Sequence, residues 1–351
     1  MIGAGVIGCY LGGRLARHAD VTLVGRPHVL DPIRAVGLTV ESGDGEDARL
    51  HIPADALTLA TGPESVRRSD VVLVCTKAGQ TAAATAEFAP FLRPDTLVVG
   101  LQNGLHSADL IRELLDRTTV IPGVIPFNVA RIGPATYRRT STGVIRLAEH
   151  PMAVPLIRTM TAAELPVRPT DDIQAVLHGK VLLNLNNAVQ ALSGLPLRTE
   201  LLDRDLRRCV ALCQAEANRV FTAAGVVPRV PLAIPAGALP VVMRLPNPLF
   251  RRLARAAVRV DADGTSSMTD DLVRGRPTEV EYLQGKVVKM ARTLGLEAPA
   301  CARMVELVHE AEAAGEDRRQ WTGRELLTEL QRARRRARRR ARIQQMTGQP
   351  T

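Results

Sequence analysis

The sequence predicts an α/β domain with a mostly parallel sheet, followed by an all-α domain. Three observations predict this. Short runs rich in Val and Leu alternate with helical stretches through the first half. A glycine-rich loop opens the chain and leads straight into a helical pattern. From Thr170 onward helical periodicity dominates. A length of 351 residues allows two domains, and 46% hydrophobic residues is ordinary for a folded protein.

The opening stretch MIGAGVIG carries Gly3, Gly5 and Gly8 as G-x-G-x-x-G, with Ala4, Val6 and Ile7 between them. In a dinucleotide loop the first glycine makes the tight turn and the second admits the pyrophosphate. The third lets helix and sheet pack closely. The helical CYLGGRLARHA follows, so its N-terminal N–H groups would meet the phosphates. Only Met1 and Ile2 precede the loop, where a buried strand of about five residues belongs. The expectation is a truncated strand and a native chain that begins upstream of Met1.

VTLVG is the next strand, and it ends in GRPH. Arg26 stands where an NAD-binding protein has an acid for the ribose hydroxyls. A guanidinium suits a 2′-phosphate instead, so the expected cofactor is NADPH. VVLVCTK and TLVVGLQNG are further buried strands, separated by the helical TAAATAEFAPFL and followed by SADLIRELLD. More strands are expected between Thr119 and Leu147, then a helix over MAVPLIRTMTAAEL. Alternating strand and helix implies a parallel sheet covered on both faces, a Rossmann-like domain. In such sheets ligands bind beyond the C-terminal ends of the strands. Lys77, Gln80 and Asn103 follow two of these strands and are candidates for the cofactor side, Asn103 for substrate as well.

The expected division is a dinucleotide domain over 1–169, a helical substrate domain over 170–331, and a basic tail over 332–351. TDDIQAVLHGKVLLNLNNAVQAL reads as one long capped helix, with a second over Asp203 to Ala224. On the first, Lys180, Asn184 and Asn187 are spaced i, i+4, i+7 and share a face, which suggests a cleft. A segment with six prolines between Pro228 and Pro248 cannot be a long helix. It is apolar for a loop, so it is expected to pack on the active site as a lid or on another subunit, as in a homodimer. In SSMTDDLVRGRPTEVEYLQG, Ser267 is expected to cap a short helix that Gly275 ends, and Pro277 to start the next, with Glu279 in its first turn. The last helix is expected to start at Thr322 and Glu325, which form a capping box.

Composition excludes other classes. The net charge is +10, but Arg332 to Arg342 alone carries eight arginines and no acid. The charge thus belongs to a tail, read as solvated, and no nucleic-acid partner is expected. Aromatics at 3% leave little stacking surface for single strands. The five cysteines show no metal-ligand spacing and are read as reduced thiols, with no metal expected. No signal peptide or membrane-length apolar run is present in the sequence, so a cytoplasmic protein without a membrane partner is expected.

These motifs together resemble the ketopantoate reductase (2-dehydropantoate 2-reductase) family over nearly the whole chain. The resemblance rests on GAGVIG, GR at the second strand, CTKAGQT, LQNG, KVLLN and SSMTDDLVRGRPTE. The last is the most specific, since Ser267, Asp271 and Glu279 keep the family's SSM-x-x-D-x-x-x-x-x-x-TE spacing. The resemblance implies NADPH-dependent reduction of 2-dehydropantoate to (R)-pantoate, the pantothenate and coenzyme A pathway step. It implies Lys180 as general acid and Glu279 as its support. It places Asn103, Asn184 and Ser267 against substrate or in ordering the site, and Lys77 and Gln80 against cofactor. One departure stands out: Ala188 occupies a position where many members carry a second substrate asparagine, with Asn187 beside it. A reductase of a different 2-oxo acid on the same scaffold is the alternative.

Overall fold

The computed structural model describes residues 1–43, 49–253 and 264–347. They form two compact units, Met1–Val176 and Leu177–Thr351. The division falls a few residues beyond Thr170, where the sequence changes character, and inside the first helix of the C-terminal half.

The first unit contains helices α1 (Val6–Leu15), α2 (Pro27–Val36), α3 (Thr81–Phe88), α4 (Ser107–Leu114) and α5 (Ala153–Ala162). Its strands are β1 (Thr22–Val24), β2 (Leu38–Ser42), β3 (Arg49–Ile52), β4 (Thr58–Ala60), β5 (Val71–Val74) and β6 (Leu97–Gly100). They continue as β7 (Thr119–Val124), β8 (Val129–Gly133), β9 (Thr136–Arg139), β10 (Ile145–Ala148) and β11 (Val167–Thr170). One ladder runs β11-β10-β7-β6-β5, parallel from β5 to β7 and from β10 to β11, antiparallel where β7 meets β10. β1 pairs with β4 in parallel. The two ladders are joined by Ile2, which bridges Val24 on one side and Val74 on the other. The Ile2 N–H donates to the Leu73 carbonyl at 2.9 Å, and its own carbonyl accepts from Cys75 at 2.7 Å. The strand ahead of the glycine loop is thus reduced to one residue, and that residue holds the central place. β5 (VVLV) and β6 (LVVG) are apolar throughout because both faces of the sheet are covered.

A second sheet has the order β3-β2-β9-β8; β8 and β9 fall where further strands are expected, between Thr119 and Leu147, but β2 and β3 were not legible in the sequence. LTVES and RLHI mix polar and apolar residues in short runs. α1 is packed between the two sheets. A methyl group at Gly12 would lie 2.6 Å from Leu23 of β1, and one at Gly13 would lie 2.7 Å from Val40 of β2. Both glycines are therefore needed for a helix buried on two sides.

The second unit begins within α6 (Ile173–Asn184) and continues with α7 (Asn186–Ser193), α8 (Leu197–Leu202), α9 (Arg204–Ala223), α10 (Leu239–Arg244) and α11 (Asn247–Leu253). α12 (Ser267–Val273), α13 (Gln284–Thr293), α14 (Pro299–Ala314) and α15 (Gly323–Thr347) follow. The single long helix expected over 170–192 is instead two, broken at Leu185. Two buried side chains bond main-chain carbonyls around the break. Buried Gln284 donates to the Leu185 carbonyl at 2.9 Å, and buried Gln214 donates to the Leu182 carbonyl at 3.3 Å. α9 starts at a true cap: the Asp203 carboxylate accepts from the N–H groups of Asp205 and Leu206 at 2.7 and 3.0 Å.

The proline-rich segment forms short helices. Leu239, Pro240 and Met243 of α10 are buried against α9. Arg207 of α9, only 1% exposed, donates to the carbonyls of Met243 and Leu245 and to Asn247. Val241, Leu249 and Leu253 on the same segment are exposed. The basic piece Phe250–Arg259 lies mostly outside the described residues. The capping box forms as expected: Thr322 N–H donates to Glu325 at 3.1 Å and Glu325 N–H to Thr322 at 3.4 Å. From there α15 runs unbroken through the arginine run, so residues 332–347 are helical. All five cysteines are free thiols, and four are buried. No helix among the described residues is long and apolar enough to cross a membrane.

Candidate active site

In the first unit the expected cofactor residues emerge at one edge, because the strands that carry them are parallel. The glycine loop follows Ile2, Arg26 follows β1, Lys77 follows β5 and Asn103 follows β6. The loops touch: a methyl group at Gly3 would come within 2.9 Å of the Thr76 nitrogen, and Gln102 donates to Thr76 at 3.4 Å.

Each glycine of the loop has its own reason. Gly3 has φ +95°, which side-chain-bearing residues rarely adopt. A methyl group at Gly8 would sit 2.2 Å from the Gly3 carbonyl oxygen. A methyl group at Gly5 would meet nothing within 4 Å. Gly5 therefore faces open space at the head of α1, where a pyrophosphate would approach. Ala4 is buried at 4% exposure beside it, while Val6 and Ile7 open the helix. The first turn of α1 holds no acid and no side chain caps it, so its N–H groups are available to an anion. These residues fit a dinucleotide.

Arg26 is the exposed N-cap residue of α2. Among the described residues it forms no ion pair, and no acid stands in the first turn of α2. Lys77 is half-buried and precedes a 3-10 turn over Ala78–Gln80, which ends in exposed Gln80. Asn103 is half-buried, and its carbonyl accepts from the Ser107 hydroxyl at 3.4 Å.

In the second unit Lys180 and Asn184 are one turn apart on α6, both partly buried. Asn187 lies past the break, in the first turn of α7. The Leu185 N–H still bonds the Val181 carbonyl at 3.0 Å, so the chain keeps its helical sense across the break. Burial pushes the Lys180 ammonium down from its ordinary 10.5 to about 8, and the Glu279 carboxylate opposes that shift. The structure thus brings Lys180 and Glu279 within electrostatic range, although 99 positions separate them in sequence.

Two local expectations need correction. The cap of α12 is Ser266, whose hydroxyl accepts from the Thr269 N–H at 3.3 Å; Ser267 is the first helical residue and is exposed. Pro277 does not start a helix. Glu279 instead immediately precedes a 3-10 turn over Val280–Tyr282. The turn forms here because the Thr278 N–H is held by the Glu312 carboxylate at 2.7 Å, and Glu312 is in turn bound by His309 at 2.8 Å. Gly275, with φ +59°, ends α12 as expected.

Sequence reasoning missed the residues behind the site. Gln190 of α7, 1% exposed, accepts from the Ser266 N–H at 2.6 Å and donates to the Gly264 carbonyl at 3.1 Å. It fixes the serine-bearing end of α12 to the helix that carries Asn187. Gln190 lies three residues after Asn187 in an apolar helix, and that spacing was a usable signal. Gln284 and Glu312 carried none, since each acts only through a distant backbone group. Ala188 is fully buried, so it presents no group to a ligand. Among the described residues no cluster of His, Cys, Asp or Glu is suited to a metal ion.

The likeness to known proteins is broad. Residues 1–152 match the ketopantoate reductase PanE/ApbA family and residues 172–312 match its C-terminal family. A 2-dehydropantoate 2-reductase from Halobacterium salinarum is 30% identical over 325 residues, covering 89% of this chain and 98% of the relative. One from Mesorhizobium japonicum is 28% identical, covering 88% and 95%. A crystal structure of a PanE/ApbA family ketopantoate reductase from Ralstonia eutropha superposes with a TM-score of 0.76 at 28% identity, covering 90% of this chain and 98% of that one. A D-mandelate dehydrogenase, solved with NADH and anilino(oxo)acetate, shares the fold with a TM-score of 0.74 at 20% identity, covering 89% and 97%. With both halves matched in order, and 89% of its length covered by a relative at 30% identity, the chain belongs to the ketopantoate reductase family of oxidoreductases.

Proposed function

We propose that the protein reduces 2-dehydropantoate to (R)-pantoate with NADPH, and that Lys180 is the general acid. The observation that carries this is the partly buried Lys180 ammonium, lowered to about 8 and opposed by Glu279. An acid works best when its pKa lies near the working pH, and a value of about 8 is far closer to neutrality than an ordinary lysine's 10.5. A bound reduced nicotinamide would supply hydride to the C2 ketone carbon. Negative charge then grows on the ketone oxygen. The Lys180 ammonium stabilises it and gives up a proton, leaving the 2-hydroxy acid and a neutral amine. Glu279 keeps the lysine protonated beforehand. Asn184, Asn187 and Ser267 offer hydrogen bonds to the substrate's carboxylate and hydroxyl groups, with Asn103 on the nicotinamide side. Gly3 to Gly8 take the pyrophosphate, Lys77 and Gln80 border the cofactor, and Arg26 takes the 2′-phosphate.

A different 2-oxo acid is the second reading. Its support is Ala188, which is buried and offers no amide at the position where the family resemblance implies a second substrate asparagine. A panel of 2-oxo acids assayed with NADPH separates the two. The first reading expects 2-dehydropantoate to give the highest kcat/KM by at least an order of magnitude. Faster turnover of an aromatic or unbranched 2-oxo acid would replace it with the second.

A further inference from the structure

We infer that the arginine-rich end of α15, with Arg219 of α9, binds the phosphate backbone of a nucleic-acid duplex. In the sequence this run reads as a solvated tail. The structure makes it the second half of a helix whose first half is anchored. Leu326 and Leu330 are fully buried and Leu327 is 6% exposed. Arg303 of α14 reaches Glu329 at 3.6 Å. Arg334 lies 3.4 Å from Glu216, a carboxylate only 4% exposed. The cationic stretch therefore leaves the body of the unit in a fixed direction.

Beyond Arg332 and Arg334, which pair with Glu329 and Glu216, its charge is not cancelled. No Asp or Glu follows Glu329 in the chain. Among the described residues Arg335, Arg336, Arg338, Arg339, Arg340 and Arg342 have no carboxylate partner. Where the stretch begins there is a cavity of about 330 Å³ lined by Arg219, Arg334 and Arg338. Glu216 also lines it, but its oxygens accept from the Ala300 and Cys301 N–H groups at 2.9 and 3.0 Å. Glu297, the other acid at the rim, is exposed, and its main-chain carbonyl accepts from Arg219. Arg334, Arg338 and Arg342 repeat every fourth residue, so they form a row with a rise of about 6 Å per step. Arg219 widens that row at its start.

The chemistry selects the ligand. Guanidinium groups fit phosphate oxygens in paired hydrogen bonds. A rigid row of them fits repeated phosphates rather than one. A membrane surface needs a large apolar face, and Ala is the only apolar residue between Arg332 and Arg342. Single strands need aromatic stacking, and the same stretch has no aromatic residue. What is left is backbone contact to a duplex, without sequence preference.

The test uses the full chain and a labelled random-sequence DNA duplex of about 20 base pairs, read by fluorescence anisotropy from about 50 to 200 mM salt. The expected plot of log affinity against log salt has a slope of about −2 to −3, one phosphate for each of Arg219, Arg338 and Arg342, since Arg334 is held by Glu216. Replacing Arg338 and Arg342 by Gln should lower that slope by about two. Replacing Arg336 and Arg340 by Gln removes the same charge from the other side of the helix and should change the slope by less than one. Gln keeps helix propensity, and reductase activity should be unaltered in both variants. No duplex binding at the lowest salt would overturn the inference. So would equal losses in the two variants, or a preference for anionic phospholipid vesicles over the duplex.

Discussion

Replacing Glu279 by Gln should move the alkaline limb of the pH profile without moving the site. In the native protein burial lowers Lys180 to about 8 and the Glu279 charge works against that fall. An opposite charge at close range raises an ammonium's pKa by about one or more. Glutamine keeps the shape and removes the charge, so Lys180 should drop to about 7 or below. Only the ammonium can act as the acid, so kcat/KM must fall as pH rises through that value. The assay is NADPH oxidation with 2-dehydropantoate at fixed ionic strength across neutral to alkaline pH. The native enzyme should lose activity with a midpoint near 8, and the variant with a midpoint about one lower. Below both midpoints the variant should recover much of its rate. Identical midpoints would refute the coupling between these two residues. A midpoint moved upward would refute the sign of the argument.

Other expectations follow from single contacts. Arg26→Asp should weaken NADPH binding by about tenfold or more, because a carboxylate repels the 2′-phosphate, while NADH binding holds or improves; cofactor titration by fluorescence reads both. Gly8→Ala should abolish dinucleotide binding, since the added methyl would lie 2.2 Å from the Gly3 carbonyl oxygen, and binding by calorimetry checks it. Gln284→Ala leaves the buried Leu185 carbonyl without its 2.9 Å donor. It should cost about 1–3 kcal/mol in denaturant unfolding, and an unchanged midpoint would mean the helix break does not depend on it.

The parts of the fold carried by local pattern were legible. β5 and β6 are apolar runs bounded by turn residues, and Thr322 with Glu325 is a cap written in four residues. The glycine loop was legible because its spacing is a recognisable pattern: Gly3 and Gly8 answer steric demands, and Gly5 leaves open space at the head of α1. Features set by distant partners were not. The break at Leu185 is bonded by Gln284, 99 positions away, and the residue before the turn at Glu279 is bonded by Glu312. β2 and β3 lacked a clear alternation, so their half of the second sheet was invisible, whereas β8 and β9 fall in the stretch expected to hold strands. In the candidate site, the shared face of Lys180 and Asn184 followed from helical spacing, whereas the pairing of Lys180 with Glu279 needed either the family signature or the folded chain. The capping serine was misplaced by one residue because Ser266 and Ser267 are chemically identical neighbours.

The central claim is that Lys180 supplies the proton while the glycine loop independently holds the cofactor. Lys180→Ala tests it in one preparation, by measuring turnover of 2-dehydropantoate and NADPH affinity together. The account predicts a loss of about 10²–10⁴ in kcat with NADPH affinity within a factor of about two. Near-native turnover, or equal loss of turnover and NADPH binding, would contradict it.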